Sequence, residues 1–442
     1  MYREISKLLL YSDLGQDSII VKLSEILEKY DKNETDKEQA VHGIFVQIKR
    51  LLDLATTFGF DTNLWHNYLT YLIITNENSF SLTCERNGTE KGGSVNALAK
   101  RDFEIFRRLY HYDFSKIENA LEIDCFSLLT DYKAIKKRDC LYNRDASEKI
   151  RELSRAIALA PNADVIFDIV TEHYKSSGVG MFGLNRAFRI RSDGGKLDIY
   201  PIGNADRITL NDLVGYEIQK KQLVDNTKAF VEGKKANNVL LYGDSGTGKS
   251  SSIKAVLNEY SDCGLRMIEI YKHQFRELSA VIAAIKNRNY RFIIYIDDLS
   301  FEEHETEYKF LKAVIEGGVE TRPENILIYA TSNRRHLIRE TWNDRSDMEH
   351  NGDIHRSDTM EEKLSLSSRF GITINYSSPD KTKFLEIVKT LAIREGIKLE
   401  EEKLFLEANK WELRHGGFSG RTARQFIDYI SATEGDKNDN TR

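Results

Sequence analysis

The sequence predicts an α/β fold: a sheet of five parallel strands covered by helices, preceded by a mostly helical domain and followed by a small helical bundle. Three observations carry this reading. From about residue 200, short β-rich apolar runs alternate with helical segments, as parallel strands joined by helical crossovers do. Through about residue 180 the apolar spacing is that of helices, and after Pro379 it becomes helical again. The organisation expected is a helical domain over 1–200, an α/β core over 201–377, a helical lid over 378–434 and a polar tail over 435–442.

The chain has 442 residues, 40% of them hydrophobic and 30% charged, enough to bury two or three cores. Its formal net charge of -5 provides no global basic field of the kind that drives non-specific binding to nucleic acid. Cys84, Cys125, Cys140 and Cys263 are scattered without a CxxC pair, which argues against a zinc ribbon or a disulfide framework and for a reduced, cytoplasmic setting. No apolar run approaches the roughly 20 residues needed to span a bilayer. The short apolar run near the N-terminus lies between charges and lacks a small-residue cleavage site, so neither a membrane anchor nor a signal peptide is expected.

Taken in order, "VHGIFVQIKRLLDL" places Val41, Ile44, Phe45, Ile48, Leu51 and Leu52 on one helical face. Similar spacing recurs in "NLWHNYLTYLIIT", "DFEIFRRLYHYDF" and "SEKIRELSRAIALA", while "SFSLTCERNGTEKGGS" reads as a short strand and a glycine-rich loop. In "RAFRIRSDGGKLDIYPIG" two extended runs flank Asp-Gly-Gly, a hairpin signal marking the passage into the next domain. The five strands expected after it are "NVLLYG", "LRMIEIY", "FIIYID", "NILIYATSN" and "ITINYS"; the lid helices are "KFLEIVKTLAIREG", "EEKLFLEANKWELR" and "GRTARQFIDYISA".

The first strand runs into a turn of Gly243, Asp244, Ser245, Gly246, Thr247 and Gly248, followed by Lys249, Ser250 and Ser251 at the start of a helix. This is the pattern G-x-x-x-x-G-K-[ST], which arises by chance in a chain of this length on the order of once in a hundred sequences. Backbone N–H groups and a helix N-terminus converge there to cradle phosphates. Lys249 reaches the β and γ phosphates of a nucleotide, and Ser250 ligates magnesium.

A carboxylate at a neighbouring strand end must hold the metal, and Asp297 in "RFIIYIDDLS" is placed for it. Asp298, one methylene shorter than glutamate, is the candidate general base; Glu302 or Glu303 could contribute, or Asp298 caps the strand end. Asn333, after Thr331 and Ser332 at the end of "NILIYATSN", is the candidate to hydrogen-bond the γ phosphate or the attacking water, with a turn-forming role as the alternative.

Together these stretches resemble the AAA+ ATPases, with Walker A at 243–250, Walker B at 292–298 and sensor 1 at Asn333. The resemblance implies ATP and Mg2+ as ligands. It also implies that Leu213, Val214 and Gly215, within "ITLNDLVGYEIQ", border the adenine. Arg369, ending "LSLSSRFG", falls at the arginine-finger position, which implies a homo-oligomer in which it acts in trans; pairing with Glu361 or Glu362 is its alternative. In "GGFSGRTARQF", Ser419 falls at a helix cap and Arg421 at the sensor 2 position, with Arg424 as second choice. With "EYKFLKAVIEGG" and "EEKLSLSSRFG" added, residues 180 to 434 resemble a bacterial family of AAA+ ATPases described only as a domain of unknown function; the N-terminal helices resemble it weakly.

Other features weigh against particular jobs. The segment "EIYKHQFRELSA" lacks the aromatic-hydrophobic-glycine loop of many unfoldases, so Tyr271 and Phe275 are expected in the core. Acids interrupt the basic run "KAIKKRDCLYNRDASEKIRELSR", as on a solvated helix face. The polar stretch over 340–363, with His350 and His355 among acids, reads as a responsive loop rather than a metal site.

The function expected is an ATPase that couples hydrolysis to remodelling or assembly of an unknown protein client, recruited by the N-terminal domain. Alternatives are an ATP-binding scaffold or switch with little turnover, and a DNA-associated loader, which the acidic balance disfavours.

Overall fold

The computed structural model describes residues 1–88, 93–133, 144–193, 196–203, 205–302, 305–316, 323–334, 337 and 366–439. The chain divides into two units: Met1–Arg186 with Pro201–Ala205, and Ala187–Tyr200 with Asp206–Arg442.

In the first unit, helices surround one apolar core. The helix Lys37–Phe58 starts where Asp36 accepts the Gln39 N–H at 2.7 Å and ends at Gly59 in the left-handed region. Ile44, Ile48 and Leu51 are buried on it, but Phe45 is 47% exposed. The buried stripe follows the i, i+4, i+7 row, and the 100° step per residue puts Phe45 at its rim.

The stretch read as a strand near residue 80 is the helix Ser79–Asn87. A capping box overrides the β-favouring residues there: Asn78 accepts from the N–H groups of Phe80 and Ser81, and Ser81 Oγ accepts from the Asn78 N–H. Buried Asp102 ties down the N-terminal segment by accepting the N–H groups of Leu9, Leu10 and Tyr11 at 3.0, 2.7 and 3.1 Å.

The second unit is built on a sheet of seven strands: β1 Ala187–Asp193, β2 Lys196–Pro201, β3 Val239–Gly243, β4 Leu265–Glu269, β5 Arg291–Ile296, β6 Ile326–Ser332 and β7 Ile372–Tyr376. Their order is β2-β1-β4-β5-β6-β3-β7. The five strands expected from the sequence pair in parallel as β4-β5-β6-β3-β7. The sheet is nonetheless larger than expected, because the two strands of the hairpin signal extend it, β1 lying parallel to β4 with Ala187 opposite Met267. Hydrophobic runs such as β6, all seven residues of which are buried, are what a strand covered on both faces requires.

Since β3 lies between β6 and β7, the chain must cross over β5 and β6 to form β4. Ligand crevices in open α/β sheets form outside the carboxyl ends of strands at such a switch point.

Three helices, Lys381–Arg394, Glu401–His415 and Gly420–Asp439, pack around Phe384, Val388, Leu404, Ala408, Phe426 and Ile427. The last of them runs to Asp439, past residue 434, through a polar stretch with no proline to stop it. After β4, Phe275 is buried as expected, whereas Tyr271 is 40% exposed, its ring stacked on His273 and covered by Arg189. Among the described residues, no helix is long and apolar enough to cross a membrane.

Candidate active site

Strand β3 delivers the glycine turn to the carboxyl edge of the sheet. Gly243 has φ +132°, and a Cβ there would collide with the Tyr376 carbonyl on β7, so this approach admits only glycine. Thr247 Oγ1 donates to the Asp244 carbonyl at 2.8 Å and closes the turn. Gly248, in the left-handed region, then opens the helix Lys249–Tyr260, whose N-terminal residues line a cleft of about 1030 Å³.

The polar groups expected at three strand ends meet there. Lys249 Nζ donates to the carbonyls of Gly243 and Asp244 at 2.9 and 2.6 Å and to Asn333 Oδ1 at 3.0 Å. Burial lowers the Lys249 pKa, while Asp244, Asp298 and Asp297 act in the opposite direction. Asn333 Nδ2 donates to Asp298 Oδ1 at 2.8 Å, so lysine, amide and carboxylate form one chain. Ser250 Oγ donates to Asp297 Oδ1 at 2.8 Å, and Thr331 Oγ1 donates to the same oxygen at 2.6 Å.

Thr331 also accepts the Asp298 N–H at 2.9 Å, so one buried hydroxyl fixes both acids. Burial would raise the Asp297 pKa, but the hydroxyls of Thr331, Tyr295 and Ser250 outweigh it, and its carboxyl is held below the ordinary aspartate value. Asp298 has φ +50°, a left-handed conformation that aspartate tolerates better than most residues.

The C-terminal helical bundle rests directly on the turn. The Arg421 N–H donates to the Gly246 carbonyl at 3.1 Å, and Ser419 caps the last helix by accepting the Thr422 N–H at 3.0 Å. Among the described residues the Arg421 guanidinium, on the cleft wall, has no ion-pair partner. Arg424 also lines the cleft but is held by Glu395 at 2.9 Å and Asp428 at 3.1 Å. Asp244 accepts the Ser378 N–H at 2.7 Å, tying the turn to the segment that leads into the lid, and this bond holds the Asp244 carboxyl below its usual value.

Of the residues singled out from the sequence, Val214, Ser245, Gly246, Thr247, Gly248, Lys249, Ser250, Ser251, Asp297, Asp298, Asn333 and Arg421 line the cleft. Gly215, Gly243, Asp244 and Arg369 do not. Gly215 turns the chain at φ +81°, and Arg369 pairs with Glu316 at the end of the helix Tyr308–Glu316. Glu302 lies outside the cleft, 3.7 Å from Arg334. Glu303, Glu361, Glu362, His350, His355 and the loop 340–363 lie outside the described residues.

Leu213, expected at the adenine, lines the cleft with Val214, whereas the rest of its apolar wall, Ile208, Ile387 and Leu391, and Tyr216, which stacks on Tyr376 with ring centroids 5.0 Å apart, were not singled out from the sequence. The i, i+4 spacing of Ile387 and Leu391 signals a buried helix face, but nothing local says that this face borders a cleft.

A glycine turn after β3, paired acids after β5 and a polar end on β6, gathered at one edge of a sheet beside a bundle of three helices, define an α/β protein with a phosphate-binding type of turn. The chain belongs to the family described as Protein of unknown function (DUF815), whose model matches residues 184–434. No curated protein matches the chain.

Among solved structures, the chain is similar to a mutant form of Thermotoga maritima RuvB at TM-score 0.36 and 17% identity, over 50% of this chain and 64% of that one. It is also similar to the Thermotoga maritima RuvB Holliday junction branch migration motor at TM-score 0.32 and 15% identity, over 50% of this chain and 72% of that one. The chain thus spans less than two thirds, 64%, of the length of the mutant RuvB chain.

Proposed function

We propose that this protein is an AAA+ ATPase that binds Mg-ATP between core and lid and couples hydrolysis to remodelling or assembly of a macromolecular partner. One observation carries the reading: Lys249, Ser250, Asp297, Asp298, Thr331 and Asn333 form a single hydrogen-bonded network at the mouth of one cleft. The apolar wall of Ile208, Leu213, Val214, Ile387 and Leu391 suits a nucleotide base, and the turn suits its phosphates.

Ser250 and Asp297 offer the hydroxyl and carboxylate oxygens that magnesium takes, leaving its other positions to phosphate oxygens and water. Among the described residues no cluster of three or more His, Cys, Asp or Glu side chains forms a protein-only cage, as befits a metal bound together with its nucleotide. Bound magnesium would supply neutralisation of phosphate charge. Lys249 adds a point charge at the β and γ phosphates, and Asn333 orients the attacking water. Asp298 takes the proton of that water, and Arg421 reaches in from the lid.

Arg369 serves a neighbouring subunit of a homo-oligomer, where leaving Glu316 would let it reach the neighbour's phosphate. The helical first unit recruits the client, the α/β core and the lid over 378–434 move against each other on turnover, and the setting is cytoplasmic. The net charge of -5 disfavours a nucleic-acid partner.

The test is steady-state phosphate release with Mg-ATP. The expected outcome is turnover that falls by at least about 100-fold in Asp298→Asn, the scale on which a general base acts, with ATP binding retained. Binding without any turnover that Asp298→Asn removes would sink the ATPase reading. It would support the second reading, a nucleotide-dependent scaffold, which the short side chain of Asp298 and its grip by Asn333 favour.

A further inference from the structure

Tyr295 is the penultimate residue of β5, two residues before Asp297, and its hydroxyl is near enough to Asp297 and Ser250 to bear on both. The residue is 1% exposed, yet its hydroxyl has no hydrogen-bond partner among the described residues. The register partner Tyr329 on β6 makes the contrast: its hydroxyl bonds Asn226 at 3.0 Å and Thr227 at 2.9 Å. Buried orphan hydroxyls are rare, and those that persist are usually satisfied by a water, an ion or the chemistry of a site.

The surroundings of Tyr295 indicate which applies. Its hydroxyl, close to Ser250 and Asp297, helps to hold the Asp297 carboxyl down while meeting strict hydrogen-bond geometry with neither. Asp297 Oδ1 is occupied by Ser250 at 2.8 Å and Thr331 at 2.6 Å, whereas among the described residues no hydrogen bond reaches Oδ2. A magnesium ion keeps several waters, and those facing the protein need acceptors. A phenol can accept from such a water through its lone pairs while donating its own hydrogen to a carboxylate.

We propose that Tyr295 is a positioning residue of the cation site: its Oη accepts a hydrogen bond from a water of the ion held at Ser250 and Asp297, and its O–H donates to the Asp297 carboxylate. This rests on the Mg-ATP reading above. The tyrosine adds no ligand of its own; it sets the angle at which Asp297 meets the ion and its water.

The test compares wild type with Tyr295→Phe in the full chain. Because the lost oxygen has no partner, the variant is expected to keep its fold, with a metal-free unfolding midpoint equal to or above that of wild type. Manganese affinity is read by electron paramagnetic resonance in the presence of a non-hydrolysable ATP analogue, and analogue affinity is read separately in EDTA. The expected result is a fall in manganese affinity of about 10- to 100-fold, the cost of losing a group that orients a metal ligand, with metal-free analogue affinity unchanged.

A variant whose manganese affinity stays within about threefold of wild type overturns the inference while leaving the Mg-ATP reading intact. A wild type that binds no analogue, with or without metal, overturns both.

Discussion

Thr331 carries more of the site than any other single hydroxyl, and Thr331→Val isolates its contribution because valine keeps the shape and the β-branch while deleting one oxygen. That oxygen donates to Asp297 Oδ1 at 2.6 Å and accepts the Asp298 N–H at 2.9 Å. Losing a hydrogen bond to a carboxylate costs about 1.5–3 kcal/mol, and losing the half-buried one to the Asp298 N–H costs about 0.5–1.5 kcal/mol. The two share one atom and do not simply add, so the expected local penalty is about 3 kcal/mol, equivalent to roughly 100-fold in an opening equilibrium.

Hydrogen exchange of the peptide that contains Asp298 and Leu299, in metal-free protein, reads this directly. The Asp298 amide is expected to exchange about 100-fold faster in the valine variant. The Leu299 N–H, which donates to the Thr331 carbonyl at 2.7 Å, should change far less. Thr331→Ser retains the oxygen and loses only a methyl, about 1 kcal/mol. Equal exchange in the valine and serine variants would show that the hydroxyl does not hold the two acids, and the reasoning would fail.

Three further outcomes follow from other parts of the chain. Gly246→Ala puts a Cβ 3.0 Å from Ser419 Oγ and 3.1 Å from Arg421 Cβ at φ +76°; the left-handed conformation alone costs alanine about 1–2 kcal/mol, so binding of an ATP analogue is expected to weaken about tenfold by calorimetry, the lid being levered off the turn. The partly exposed His173 has a sealed Nε2 with no partner, and burial, aided by the Lys149 charge, lowers its pKa from 6.5 to about 4. The unfolded chain takes up that proton first, so the stability of the first unit should fall as pH drops from about 6.5 to about 4, by up to about 3 kcal/mol, and His173→Gln should flatten the profile in denaturant titrations. Asp102→Ala strips the acceptor from three backbone N–H groups, and exchange protection at Leu9, Leu10 and Tyr11 is expected to vanish while the second unit is unaffected.

How much of this was legible in the sequence follows from the range over which each signal acts. The glycine turn, the acids after β5 and the amide after β6 are local patterns on apolar runs, and a parallel sheet brings such strand ends to one edge whatever the intervening loops do. Strands β1 and β2 were not legible as part of that sheet, because the partner of Ala187 is Met267, and a hairpin reads the same whether it stands alone or extends a sheet. The helix at Ser79 was misread although its signal was present: Asn78 and Ser81 stand at capping-box spacing ahead of β-favouring residues, and the cap wins because it satisfies backbone donors that a strand would leave to a distant partner. Thr331 could be placed at the strand edge but not as the bridge between two acids, since the bridge depends on the register of β5 against β6.

On the proposed reading, the question of turnover reduces to the chain from Lys249 through Asn333 to Asp298. With Lys249 directed at Gly243, Asp244 and Asn333, the amide oxygen of Asn333 is occupied by the lysine and its nitrogen by Asp298. A γ phosphate competes for the lysine with two carbonyls and an amide, and it alone brings a full opposite charge to the ammonium. Moving the lysine frees Asn333 Oδ1 to accept from a water while Nδ2 keeps its hold on Asp298, which places that water next to the carboxylate. The missing methylene of Asp298 is thus offset only if Asn333 brings the water to it, and the left-handed backbone at φ +50°, fixed by the N–H bond to Thr331, is what keeps the short side chain aimed at that amide.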